Sequence, residues 1–269
     1  MAVAYKIHGI ENSWTTFAQS GSDRIIYVDS AAANDSGDGL TQGTAKKTLA
    51  AGKALLRNGF ADWMLLKCGS VWDEVLGTFE NKGGRSLAQR TLVGSYGTGA
   101  RPLIRTGTST GALLSNSDAN YFAFLDLHFS AHTFTGTGSS PAGIYWLQQT
   151  DGLCIEGCKF EGYGNNVTVQ GYPSGKRHSN VSIRRNVIVD SKLDTGGVGL
   201  YTEACDGIII EENVFDNNGW IDGTPTDGHG RSVYIQNGNT GVVFRRNIVA
   251  NKDGVQLRSG GEMDDNLFL

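Results

Sequence analysis

Along the second half of the chain one arrangement of apolar and polar positions keeps returning. Two apolar residues flank a single position, two polar residues follow, then an asparagine, then another apolar pair. It reads Val181-Ser182-Ile183-Arg184-Arg185-Asn186-Val187-Ile188, Ile208-Ile209-Ile210-Glu211-Glu212-Asn213-Val214-Phe215 and Val242-Val243-Phe244-Arg245-Arg246-Asn247-Ile248-Val249. A clipped copy, Met263-Asp264-Asp265-Asn266-Leu267-Phe268, lies at the end, and looser ones lie upstream at Leu153-Cys154-Ile155 with Cys158 and at Phe122-Ala123-Phe124 with Leu127. From Leu127 through Cys158, Asn186, Asn213 and Asn247 to Asn266 the spacing is 31, 28, 27, 34 and 19 residues. Between the asparagine motifs a second alternating segment recurs: Val167-Thr168-Val169-Gln170, Val198-Gly199-Leu200-Tyr201, Val233-Tyr234-Ile235-Gln236 and Val255-Gln256-Leu257-Arg258. Alternation of this kind predicts strands with one buried face, and a period of this length predicts one structural unit per repeat.

Short strands, three to a period, joined by glycine-rich corners predict an all-β parallel β-helix, a solenoid whose coils bury their apolar faces only by stacking on one another. Stacking also gives the polar pair before each asparagine a purpose. On successive coils it reads Arg-Arg, Glu-Glu, Arg-Arg, Asp-Asp, so opposite charges lie side by side and a one-coil slip aligns like charges. The asparagines, aligned at one corner, are expected to form an amide ladder.

The amino-terminal part differs. Ile25-Ile26-Tyr27-Val28 reads as a strand, and Thr44 to Asn58 suits a helix with Ala45, Leu49, Gly52 and Leu56 on one face and Gly59 just past its end. Trp63-Met64-Leu65-Leu66 resumes the sheet, so the helix is expected to cap the first coil. The chain divides into a tail (1–22), a strand with its capping helix (23–62) and the coils (63–269). Leu269 falls inside an apolar strand, which leaves the carboxyl end uncapped and predicts either a longer natural protein or a covering chain by self-association.

Composition narrows the function classes. Of 269 residues 38 are glycine and 4 proline, which fits frequent turns and disfavours a helical domain. With 23 basic against 27 acidic residues there is no basic excess to serve nucleic acid. No apolar run is long enough to span a membrane, and the opening Met1-Ala2-Val3-Ala4-Tyr5-Lys6 lacks the order of a signal peptide, as in a soluble chain or one trimmed of its export signal. Cys68, Cys154, Cys158 and Cys205 form no metal-type pair and read as buried fillers.

Strand Ile25-Ile26-Tyr27-Val28-Asp29, the segment Gly43-Thr44-Ala45-Lys46-Lys47-Thr48-Leu49 and the asparagine-marked coils together resemble the bacterial right-handed parallel β-helix superfamily over residues 24–269. That superfamily holds pectate, alginate and chondroitin lyases and polygalacturonases. The resemblance implies a right-handed coil, a polysaccharide partner, and secretion or a periplasmic location, with a viral particle as the alternative; the reaction has to be read from the site.

With Val198, Leu200, Val233, Ile235, Val255 and Leu257 pointing inward, the intervening residues form an outward stripe: Thr168 and Gln170, Tyr201 and Glu203, Tyr234 and Gln236, Gln256 and Arg258. Coils about 4.8 Å apart match the rise of a sugar chain, and aromatic, amide and charged groups suit its stacking and hydrogen bonding. Two loops are expected to wall the stripe. One runs from Asp216 to Arg231 with Trp220, Asp222, Asp227, His229 and Arg231; the other follows Gln170 with Tyr172, Lys176, Arg177 and His178. Gly228-His229-Gly230 is similar to the Gly-His-Gly of polygalacturonase-type hydrolases, and Asp206 lies where their aspartate pair would be. Yet Gly207 follows Asp206, no suitable Asn-x-Asp precedes it, and Ser259 and Gly260 follow Arg258 in place of an Arg-x-Lys.

The expectation is therefore a carbohydrate-active enzyme that cleaves an extended uronic-acid polysaccharide by β-elimination. His229 or Tyr234 is the base, Arg258, Arg231 and Lys252 stabilise charge, and Asp227 contributes beside them. Gln170, Tyr201, Glu203, Gln236, Gln256 and Trp220 bind sugar, and Asp194, Glu203 and Asp227 are candidate ligands for calcium, the one cofactor expected. The alternatives are a glycoside hydrolase using Asp227, Asp206 or Glu203, and a non-catalytic glycan-binding rod of viral tailspike or adhesin type. The rod predicts a lateral apolar stripe, of which only Trp146 and Leu147 give a hint.

Overall fold

The computed structural model describes residues 15–219, 230–251 and 254–269. Their strands fall into three sheets, every pairing parallel. A ten-stranded sheet starts at Ile25–Val28 and includes Trp63–Lys67, Thr91–Tyr96, Phe122–Leu125, Cys154–Glu156, His178–Arg184, Cys205–Glu211, Val242–Arg245 and Gly261–Asp264. An eight-stranded sheet runs from Val71–Trp72 to Leu267–Phe268, and a seven-stranded sheet from Gly77–Thr78 through Ala142–Trp146, Asn165–Gln170, Val198–Glu203 and Arg231–Ile235 to Val255–Leu257. The chain visits the three sheets in turn and then returns one rung higher, which makes every neighbour parallel. This is the coil of a parallel β-helix.

Register carries the core. Ile155, Ile183, Ile210 and Phe244 stack in one inward column and are fully buried. Each such side chain contributes about 1.5–3 kcal/mol of transfer free energy, and a one-residue slip would turn the whole column to solvent. Phe129 stacks on Phe160 with ring centroids 5.1 Å apart in the same interior.

The asparagine ladder is present. Asn186 Nδ2 donates to Asn213 Oδ1, Asn213 Nδ2 to Asn247 Oδ1 and Asn247 Nδ2 to Asn266 Oδ1, each at 3.0 Å. Each of these acceptors also takes the backbone N–H of the asparagine one coil earlier. The ladder supports a strained corner: the preceding Arg185, Glu212, Arg246 and Asp265 have φ of 55°, 58°, 52° and 51°, a left-handed conformation that side chains disfavour and that turns the chain between sheets. Gly157, with φ 70°, holds the equivalent corner upstream without that cost. The charge stripe also forms. Arg184 Nε and Arg245 Nε each lie 2.7 Å from the nearly buried Glu211, and Arg185 reaches Glu156 at 2.8 Å and Glu212 at 2.6 Å.

The amino-terminal helix is shorter than the pattern predicts, covering Leu49–Ala54. Residues around Lys46 stay extended because Lys46 exchanges backbone bonds with Tyr27 and Asp29. The helix can begin only at Thr48, whose side chain accepts from Ala51 N. Leu49 and Leu56 join the core, and Gly52 lies so close to Val28 and Met64 that no Cβ would fit. Phe17 is buried against Trp63, Leu65 and Leu92 on the outside of the ten-stranded sheet.

Two expectations need correction. Trp146 and Leu147 are buried and offer no lateral contact. A lateral apolar row exists elsewhere: Val187, Val214, Ile248 and Leu267 align on successive coils of the eight-stranded sheet, Ile248 being 38% and Leu267 50% exposed. In sequence these residues look like core, because each sits beside an inward neighbour such as Ile188 or Phe215. All four cysteines are free and buried.

Candidate functional site

The outward face of the seven-stranded sheet brings Tyr145, Thr168, Tyr201, Tyr234 and Gln256 into one column, each the register partner of the next. One step along the strands, Gln170 pairs with Glu203, and Gln236 and Arg258 follow the ends of their strands. These side chains are connected. Gln170 Nε2 and the Tyr201 hydroxyl both donate to Glu203 Oε2 at 2.7 Å. Tyr201 meets Tyr234 edge to face, centroids 5.5 Å apart. The Tyr234 oxygen accepts from Arg258 Nη1 at 2.9 Å and from Gln236 Nε2 at 3.1 Å. Burial, and then the bond to the Glu203 carboxylate, push the Tyr201 phenol above its ordinary range. The stripe is thus a connected surface that spans four coils, with its anion on Glu203 and its cation on Arg258.

Arg231 begins its strand and donates to Gln256 Oε1 at 3.2 Å and to the Gly230 carbonyl at 2.8 Å, which puts its charge at the opposite, amino-terminal edge of the sheet from Arg258. Trp220, Asp222, Asp227, His229 and Lys252 lie outside the described residues. Of the expected calcium ligands only Asp194 and Glu203 are among the described residues. Asp194 precedes Val198–Glu203 and Glu203 ends it, so five strand steps of about 3.3 Å, roughly 17 Å, separate the two ends of that strand alone. Among the described residues no group of three His, Cys, Asp or Glu side chains is placed to hold a metal.

Three more residues differ from expectation: His178 of the wall, Asp206 of the hydrolase alternative, and Thr168 of the stripe. His178 begins a strand and is buried, and burial lowers its pKa to about 4, so it is a neutral interior group rather than part of a cleft wall. Asp206 is gripped by Arg177, Nε to Oδ2 at 2.6 Å, and also accepts from Thr240 Oγ1 at 2.7 Å. Those bonds, the one from Arg177 foremost, lower its pKa to about 2, the wrong direction for a general acid. Thr168, expected to face solvent, is covered.

Tyr145 is the residue that reading by repeat missed. Its segment, Gly143-Ile144-Tyr145, repeats the Gly199-Leu200-Tyr201 of a later coil, but no asparagine motif precedes it to flag the register.

Residues 107–268 match the family described as "Right handed beta helix region", and the chain belongs to that family. No curated protein matches it in sequence. Among solved structures it resembles pectate lyase Pel9A, with a TM-score of 0.53 and 15% identity over 94% of this chain and 78% of that one. It also resembles a GH136 lacto-N-biosidase from Eubacterium ramulus (TM-score 0.47, 14% identity, 91% and 68% covered) and a rhamnogalacturonan lyase (0.47, 14%, 88% and 70%). At such identities the likeness is one of fold.

Proposed function

We propose that this protein cleaves an extended, uronic-acid-containing polysaccharide by β-elimination. The observation that supports this reading is the Arg258–Tyr234 contact at 2.9 Å on an outward column of sugar-compatible side chains. Elimination needs a base for the proton beside the uronate carboxyl and a cation for the charge that develops there. Tyr234 takes that proton in this reading, the glycosidic carbon–oxygen bond on the next carbon breaks as the carbon–carbon double bond forms, and the leaving oxygen takes its proton from water. Arg258 and Gln236 meet negative charge on its oxygen, and Arg258 also faces the substrate carboxylate. Glu203, held by Gln170 and Tyr201, takes sugar hydroxyls. No step is assigned to calcium.

Hydrolysis needs two carboxyl groups across the groove, about 5–9.5 Å apart. On the described outward positions of the four strands from Asn165–Gln170 to Val255–Leu257, Glu203 stands without a second carboxylate, and Asp206 is committed to Arg177. A separate observation, the lateral row Val187, Val214, Ile248 and Leu267, favours the rod as a second reading. A substrate of this kind lies outside the cell, so a secreted or periplasmic location accompanies the enzymatic reading.

The test is incubation with a panel of uronic-acid polysaccharides, with calcium or with EDTA, while the absorbance of unsaturated uronates is followed. A rise that disappears in Arg258→Ala supports elimination. Reducing ends without that absorbance mean hydrolysis, and binding without cleavage means the rod.

A further inference from the structure

Thr168 sits between two tyrosines, its register partners being Tyr145 on one neighbouring coil and Tyr201 on the other. Alternation along the strand puts all three side chains on the outward face, since Val167 and Val169 are buried inward. Yet Thr168 is 3% exposed, and its Oγ1 has no hydrogen-bond partner among the described residues. A hydroxyl that has lost water and gained nothing is a costly group to keep, and in a fold that satisfies its ladder asparagines so fully it calls for an explanation. The flanking rings differ in how they are held. Tyr201 is fixed by its bond to Glu203 and by the edge of Tyr234. The Tyr145 hydroxyl makes no hydrogen bond among the described residues.

We propose that Tyr145, Thr168 and Tyr201 form a sugar-binding subsite, an extension of the glycan-cleaving site on which this proposal rests. Tyr145 and Tyr201 are two rungs apart, about 9.6 Å, a gap that admits a pyranose ring between aromatic faces. A rotamer change of the half-buried Tyr145, whose hydroxyl bonds to no described residue, opens the gap on a fast timescale. A sugar hydroxyl then pairs with Thr168 Oγ1 and the apolar face of the sugar rests on Tyr145. From Tyr145 to Gln256 the column crosses four rungs, about 19 Å, so the full surface takes a glycan of about four units.

Calorimetric titration of the purified protein with uronic-acid oligosaccharides of increasing length, and with neutral oligosaccharides, tests this with Tyr145→Ala and Thr168→Val. The expected result is an affinity that grows as the oligosaccharide passes three units in the parent, with about tenfold weaker binding of the longer oligosaccharides in either variant and unchanged binding of the shortest. Thr168→Val should also melt no lower than the parent, because an isosteric methyl replaces an unpartnered hydroxyl; a merely structural threonine would leave affinity untouched. Parent and variants binding long oligosaccharides equally overturns the subsite while leaving the enzymatic reading intact. Absence of binding to any oligosaccharide by the parent overturns both.

Discussion

Arg177 and Asp206 form a two-pronged ion pair across neighbouring coils at the carboxyl edge of the seven-stranded sheet, with Arg177 Nη2 reaching on to the Gly238 carbonyl at 2.7 Å. The pair ties two corners beside the candidate site. It also removes from chemistry a carboxylate that the spacing of the chain had offered to a hydrolase.

That pair has a pH signature. Asp206 titrates near 2 in the fold against 3.8 for the unperturbed group, so its contribution is complete above pH 3.8 and is lost as pH falls through 2. Both partners are more than a third exposed, which limits the contribution to about 1 kcal/mol or less after screening. Arg177→Ala is expected to unfold at slightly lower urea than the parent at pH 7, with the gap closing between pH 4 and 2. A gap that persists at pH 2 would assign the effect to packing.

His178 acts in a higher window. Burial lowers its pKa from 6.5 to about 4, so the unfolded chain takes up a proton before the folded one does. Its stabilising share is whole above pH 6.5 and is lost as pH falls to 4, a change of up to about 3 kcal/mol. Denaturation midpoints of the parent should fall across that range. In His178→Gln that segment of the decline should be absent, whatever the variant's absolute stability.

The ladder should behave as a unit. Asn213→Ala removes the acceptor for both the backbone N–H and the Nδ2 of Asn186, and deletes donors to Asn247 and to the Ile183 carbonyl. Two buried donors left unpartnered predict a loss of about 2–4 kcal/mol, read by urea denaturation. A loss under about 1 kcal/mol would mean that water replaces the amide.

Within the candidate site, substitutions separate the two chemistries. Tyr234→Phe removes the base of an elimination and is expected to lower turnover by about 10²–10⁴-fold. Glu203→Gln replaces the carboxylate that takes sugar hydroxyls by a weaker, neutral acceptor and should chiefly raise KM. If Glu203→Gln proves the more damaging of the two in turnover, hydrolysis through that carboxylate is the better account.

Much of the fold was legible beforehand because stacking forces like positions onto like positions. The spacing of Asn186, Asn213 and Asn247 located the corners, and the alternation around Leu200 and Val233 located the sheet that carries the outward stripe. The helix boundary was misjudged because Lys46 prefers a backbone bridge to the first strand over a turn of helix, a choice that depends on Tyr27 and Asp29 being nearby. Tyr145 was overlooked for want of a motif to fix its register.

What the sequence by itself determined is the repeat: periodic apolar positions, corner asparagines and alternating charge pairs leave one stacked arrangement in which each finds its partner. Only the tertiary structure decided which outward groups are committed and which are free to act. Arg177 neutralises Asp206, burial silences His178, and register seats Arg258 on Tyr234 and two tyrosines about Thr168. The physical reason is that side-chain periodicity is local, whereas pairing, desolvation and protonation depend on neighbours about thirty residues away along the chain and one coil, about 4.8 Å, away in space.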